Sequence, residues 1–222
     1  MIKQLRQSGR FELSAMLAGM TFFCFILSTC RLYFTGSIMY LFLNWNLFLA
    51  FIPWAASTII MIRPDLHKAK PILFALLAVW LLFFPNAPYI LTDLFHLHTK
   101  SKAPIWFDLG LVLCFAWTGL TFGLISLMDI EELLAKNFKW FTIKCIISSL
   151  LFIASFGIYL GRYLRWNSWD ILDEPLRLMY DIGDRIVDPF SYPRTWGMTL
   201  LFGVLLNMMY WTIKLIREKK PA

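Results

Sequence analysis

Charge is scarce in this sequence and unevenly placed. Only 16% of its 222 residues are Asp, Glu, Lys or Arg, and they stand in clusters separated by long runs almost free of them. That excludes an ordinary soluble chain. Apolar residues make up 59% of the total, against ~45–50% in soluble domains. So short a chain has no core large enough to hide them, whereas a bilayer does. The length leaves no room for a separate globular domain once the spans are counted, so a single transmembrane domain over 1–222 is expected.

Other absences narrow the chemistry. There is no Walker phosphate loop, no Rossmann glycine fingerprint and no Gly-x-Ser-x-Gly elbow, which argues against nucleotide-driven transport by this chain, and no HExxH or multi-histidine array to mark a metal site. The four cysteines, Cys24, Cys30, Cys114 and Cys145, lie in or at the ends of apolar runs without metal-ligand spacing, and read as small packing residues. No residue pattern names a cofactor or an oligomeric state. The net charge of +7 comes from basic residues flanking apolar runs, a pattern of membrane orientation and lipid contact. A nucleic-acid partner, which needs a solvated basic face, is not expected.

What is present is a set of apolar runs. A membrane helix needs ~20 mostly apolar residues to cross a ~30 Å core. Residues 13–34, 39–62, 105–128, 142–163 and 195–216 qualify directly. The first run follows a basic start and contains Leu27-Ser28-Thr29-Cys30, close to a lipoprotein cleavage box. It is longer than a signal core, so an uncleaved span is expected. The sixth span, third in order, runs over 71–97 and is interrupted by Pro85 and Pro88. Each proline removes a backbone donor and crowds the preceding turn, so a broken helix is predicted whose freed carbonyls must find protein or water partners. The fold class is therefore all-α, a helical bundle of about six transmembrane helices.

Orientation follows from Lys and Arg. With the N-terminus cytoplasmic, thirteen of the 21 basic residues fall on the inner side and eight on the outer, which places both termini inside. Between the last two spans, Leu172, Leu176, Met179, Ile182 and Ile186 recur at helical spacing opposite Asp173, Arg177, Asp181 and Asp184, with Pro175 at a suitable helix start. An amphipathic helix over about 172–187 is predicted, either along the membrane interface or packed as a lid.

The most informative stretch is PNAPYILTDLFHL. Asn86, Tyr89, Asp93 and His96 are spaced three, four and three apart, which places them on one helical face. A polar stripe in a span is costly against lipid and marks a functional candidate. Asp93 and His96 are the candidate catalytic pair, a proton relay or acid–base couple. The plainer reading is that Asp93 caps a short helix while His96 and His98 sit at headgroup level. A metal on Asp93 and His96 would need a distant ligand such as Asp108 or Asp170.

A second cluster, GRYLRWNSWD, ends the fifth span. Arg162 and Arg165 suit an anionic headgroup, because guanidinium binds phosphate bidentately. They equally suit snorkelling beside an aromatic belt of Trp166 and Trp169. Asn86, Tyr89, Arg162, Arg165 and Asp170 are the candidate substrate contacts. Gly119 with Gly123, and Gly157 with Gly161, let helices approach closely. Asn44, Asn46 and Asn207 are expected to bond between helices.

With the run from Pro85 to Leu97 and the later GRYLRWNSWDIL, the sequence resembles the domain-of-unknown-function 1361 family of bacterial membrane proteins. The resemblance implies a bacterial plasma (inner) membrane location and a chain of about this length, and carries no activity, substrate or catalytic residue. The functional expectation is an outer-side polar pocket combining the two clusters. It would bind or process a lipid-linked or envelope substrate, with membrane lipids and an anionic lipid headgroup as partners. A small transporter or channel, and a non-catalytic subunit of a membrane complex, are the alternatives.

Overall fold

The computed structural model describes residues 2–67, 69–97 and 102–218. Most of these residues are helical, and no strand is among them. Six helices are long and apolar enough to cross a membrane: Phe11–Thr35, Phe42–Ile62, Lys70–His96, Ile105–Leu134, Trp140–Tyr163 and Pro193–Arg217. The expected spans are all present. The chain divides into two compact units, Met1–Ile130 and Glu131–Ala222.

In the first unit, a short α1 (Ile2–Gln7) leads into α2 (Phe11–Thr35), which ends on Gly36 at φ 62°, with the Gly36 N–H donating to the Leu32 carbonyl. Glycine takes that left-handed cap without a Cβ penalty. The turn it begins delays the next helix, so α3 starts at Phe42 and runs to Ile62, three residues later than the apolar run suggests. α4 (Lys70–Phe83) carries the start of the third span, and α6 (Ile105–Leu134) is the most buried element. Leu17 and Cys24 of α2, Leu43, Leu47 and Ala50 of α3, and Leu111, Val112 and Phe115 of α6 form the core.

Two ion pairs fasten α2 to α6. Near one end Arg10 chelates Asp129, with Nη1–Oδ1 at 2.6 Å and Nη2–Oδ2 at 2.7 Å. Near the other, Arg31 chelates Asp108, with Nε–Oδ1 at 2.7 Å and Nη2–Oδ2 at 3.2 Å. Between them the Cys24 thiol meets the Thr118 hydroxyl at 3.4 Å. The two arginines and the two aspartates are each separated by twenty-one residues, about 31 Å of helix, which is the thickness of a hydrocarbon core. Each antiparallel helix therefore presents a charge to its neighbour close to both edges of the membrane.

The third span breaks where the prolines predict. After α4 a single α-turn, α5 (Asn86–Tyr89), gives way to a 3₁₀ helix over Ile90–His96. Protein groups take the disturbed carbonyls: the Ala87 N–H donates to the Phe84 carbonyl at 3.1 Å, and the Asn86 side-chain amide to the Phe83 carbonyl at 3.0 Å. The broken span packs on α6 at three levels. Trp80 donates to Ser126 at 3.1 Å, while a Cβ on Gly123 would lie 2.7 Å from the Ala87 Cβ, and one on Gly119 would lie 2.5 Å from the Ile90 Cδ1. The first glycine pair is thus a docking face for this span.

The second unit holds the last turn of α6, then α7 (Trp140–Tyr163), a short α8 (Asp170–Asp173), α9 (Pro175–Val187) and α10 (Pro193–Glu218). α7 and α10 pack closely: a Cβ on Gly203 would run into the Phe152 ring. Asn207 corrects an expectation. Its amide donates to the Gly203 carbonyl at 2.8 Å and its oxygen accepts from Trp211 at 3.4 Å, both within α10, because a short amide side chain in a helix reaches the carbonyl one turn back. α6 outlasts its apolar run by six residues, since Glu131 accepts from Tyr210 and Lys214 of α10.

α9 is held by its polar side. Asp181 accepts from the Trp166 indole at 2.9 Å, Asp184 from the Tyr192 hydroxyl, and the Arg185 carbonyl from the Trp196 indole at 3.1 Å. Its apolar side, Leu176, Met179 and Val187, is 69–85% exposed. A helix flanked by two spans, with polar side bonded inward and apolar side outward, has the geometry of an interfacial element.

Candidate functional site

Three aspartates are buried in the first unit: Asp93 at 0% exposure, Asp108 at 1% and Asp129 at 6%. A buried carboxylate must be paired or hydrogen-bonded, because desolvation disfavours its charge strongly. Asp108 and Asp129 are matched by permanent guanidinium charges. Asp129 also accepts from the Ser57 hydroxyl at 2.7 Å.

Asp93 is placed beside a different kind of partner, an imidazole. Its Oδ2 accepts from the Asn46 amide at 2.9 Å, and its Oδ1 lies 3.9 Å from the His96 Nδ1. The 3₁₀ pitch produces this arrangement. With three residues per turn, positions three apart eclipse, so Ile90, Asp93 and His96 fall in one line and Asp93 follows Ile90 into the interior. Asn86 and Tyr89 precede the change of pitch, on the α-turn. The His96 side chain is 41% exposed while that of Asp93 is 1% exposed. An imidazole, whose nitrogens can both donate and accept, therefore stands nearer the surface than the buried acid beside it.

The pair is fixed from behind. The Tyr40 hydroxyl donates to the His96 carbonyl at 2.9 Å, and Phe42 packs on the imidazole with ring centroids 5.1 Å apart. Arg31 lies over the Tyr40 ring at 4.4 Å. Burial, and next the Asp108 charge, push the Tyr40 hydroxyl above its ordinary pKa, which keeps it a donor. A connected series, Asp108, Arg31, Tyr40, His96, Asp93 and Asn46, therefore occupies one end of the first unit.

Asn86 spends its amide on the Phe83 carbonyl, and Tyr89 gives its carbonyl to the Thr92 hydroxyl at 2.7 Å. Both side chains are half-buried. In the second unit, Arg162 is half-buried in the last turn of α7 and Arg165 is exposed. Arg165 has φ 62°, and the following Trp166 N–H reaches back to the Leu160 carbonyl at 3.2 Å. Arg165 thus takes, just past the helix end, the left-handed conformation that glycine favours. Asp170 accepts from the Asn167 backbone N–H at 2.6 Å and side-chain amide at 3.2 Å, so it orders the turn behind the arginines. Among the described residues no three His, Cys, Asp or Glu side chains are grouped to hold a metal, and His98 lies outside the described residues.

Sequence reasoning missed Arg10, Arg31, Asp129 and Tyr40; Asn46 makes the bond between helices expected of it, and its acceptor is Asp93. A signal was present for the first three: an arginine at each end of the first span and an aspartate at each end of the fourth, each pair separated by the same number of residues.

Six apolar spans, a proline-broken third span and an ionisable pair within it define a multi-pass, all-α membrane protein. The chain belongs to the family described as protein of unknown function (DUF1361), whose model matches residues 45–209. That match covers the broken span, Asp93 and His96, and the arginine cluster. No curated protein and no solved structure matches the chain.

Proposed function

We propose that this is a bacterial inner-membrane protein with both termini cytoplasmic, and that Asp93 and His96 handle a proton at its outer end. The substrate class is a lipid-linked or envelope molecule with an anionic headgroup. The observation that carries this reading is the placing of a fully buried Asp93 3.9 Å from a 41%-exposed His96, in a span whose helix is broken there. The other two buried aspartates of the unit are locked to arginines, an arrangement suited to holding helices together. Asp93 and His96 are suited to moving a proton between interior and surface, with either group as the base. Asn86 and Tyr89 border the pair as substrate contacts. In the second unit, Arg162 and Arg165 are the phosphate-binding candidates, and Asp170 steadies their loop. The excess of basic residues on the terminal side supports the orientation.

The test is complementation of a loss-of-function strain by Asp93→Asn and His96→Ala, with membrane levels matched to wild type. Loss of function in both is expected, and full complementation by both sinks the reading. The change of pitch at Ile90 favours one second reading, a small transporter using this segment as its gate. Substrate flux into liposomes that disappears with Asp93→Asn would select it.

A further inference from the structure

The end of the first unit that carries Asp93 also has a cavity of about 270 Å³, between the last turn of α2 and the segment entering α6. Arg31 and Lys102 line it together with Phe34, Trp106 and Phe107. The two cations differ in standing. Arg31 is 3% exposed and its charge is matched by Asp108. Lys102 is exposed, and among the described residues no carboxylate pairs with it. The cavity therefore holds one uncompensated positive charge, beside the start of a long helix whose dipole also favours an anion. Its walls are apolar and open: Phe34 is 81% exposed and Trp106 70%. Both sit at the ends of spans, where aromatic side chains meet the headgroup layer.

A cation at the rim and aromatic walls running into the membrane fit an amphiphile. A soluble anion gains nothing from Phe34 and Trp106, and an uncharged lipid gains nothing from Lys102. Arg31 joins this cavity to the pair, because it stacks on Tyr40, which holds the His96 carbonyl. We propose that the cavity binds the phosphate headgroup of an anionic lipid, with the phosphate on Lys102 and the first part of the chains along Phe34 and Trp106. This rests on the proton-handling reading above and names the substrate class of that site: the phosphate-bearing lipid, or lipid anchor, is held here while Asp93 and His96 act beside it.

The experiment is a lipid titration of the full chain in detergent, followed by native mass spectrometry. Dioleoylphosphatidylglycerol is the anionic probe, dioleoylphosphatidylcholine the zwitterionic one, and inorganic phosphate the free anion. Preference for the anionic lipid is expected. Lys102→Gln should lower its affinity about tenfold, the worth of one charge-assisted contact; Lys102→Arg should restore it, and Trp106→Ala should weaken it. Lys102 and Trp106 are exposed, so these variants should unfold as wild type does. Equal binding of the two lipids, unchanged affinity in Lys102→Gln, or displacement of the lipid by equimolar phosphate would overturn the proposal. Asp93→Asn should bind the lipid normally. If Lys102→Gln binds as wild type while Asp93→Asn fails to complement, the cavity proposal falls and the proton-handling reading stands. If the cavity behaves as expected while Asp93→Asn and His96→Ala complement fully, the proton-handling reading falls.

Discussion

Replacing Gly123 by alanine tests whether the broken span is held by close packing on α6. An added Cβ would lie 2.7 Å from the Ala87 Cβ, whereas carbon atoms prefer about 3.5–4.0 Å. The segment must retreat by roughly 1 Å, and Ala87 offers no flexible chain that could bend away instead. Overpacking of this kind costs about 1–3 kcal/mol, and alanine's better helix propensity returns up to ~1 kcal/mol. A net loss of about 1–2 kcal/mol is expected from equilibrium unfolding in mixed detergent. Gly19→Ala is the matched control, since nothing lies within 4 Å of a Cβ there, and it should be neutral or slightly stabilising. Ala87→Gly in the Gly123→Ala background should recover most of the loss, which a double-mutant cycle would report as coupling between the two positions.

Gly119→Ala should be milder although its contact, 2.5 Å to the Ile90 Cδ1, is nominally shorter. The terminal methyl of a side chain can turn aside, and Ile90→Val removes it altogether. Retreat of the 3₁₀ segment by ~1 Å would also stretch the Asn46–Asp93 bond of 2.9 Å beyond hydrogen-bond range. Gly123→Ala should therefore impair function as well as stability. If Gly123→Ala and Gly19→Ala unfold alike, the docking face does not hold the span and the argument from these glycines is wrong.

Asp108→Asn leaves the Arg31 charge buried without its counterion and should cost about 3–5 kcal/mol, while Arg31→Met with Asp108→Leu should recover most of that in the same unfolding assay. Arg165→Gly should stabilise by about 1 kcal/mol, because φ 62° is strained for a side chain and free for glycine. Arg165→Ala should show no such gain, and equal unfolding of the two variants would remove the strain argument. If Arg165 binds phosphate, both variants lose function although one is more stable.

The spans were legible because membrane helices must be apolar for their whole length, a demand no soluble fold makes. Pro85 and Pro88 announced the break, since proline's missing N–H acts wherever it falls in a helix. The pitch beyond the break was not legible: α and 3₁₀ periodicities differ by only 20° per residue, too little to distinguish over Ile90–His96. That difference decides which residues align with Asp93. The facing of α9 was half legible. Its two sides could be read from spacing, but which side bonds to the protein depended on Trp166, Tyr192 and Trp196, outside the helix.

The buried charges carry the remaining step. A count of Lys and Arg treats Arg10 and Arg31 as orientation signals in loops, yet both are satisfied by carboxylates of α6. The shared spacing of twenty-one residues means that sliding one helix along the other by a single turn would break both pairs together. A register fixed at both membrane edges gives Asp93 a rigid surround, since the 3₁₀ segment packs on the same α6 and Tyr40 rests against the same Arg31. Rigidity of this kind is what an acid–base pair requires, because a proton moves between groups only when their separation is held to a few tenths of an ångström. On the proposed reading, the 3.9 Å between Asp93 and His96 is the gap a transferred proton must cross. A substrate oxygen, or a small turn of the imidazole about an anchored backbone, would complete the path.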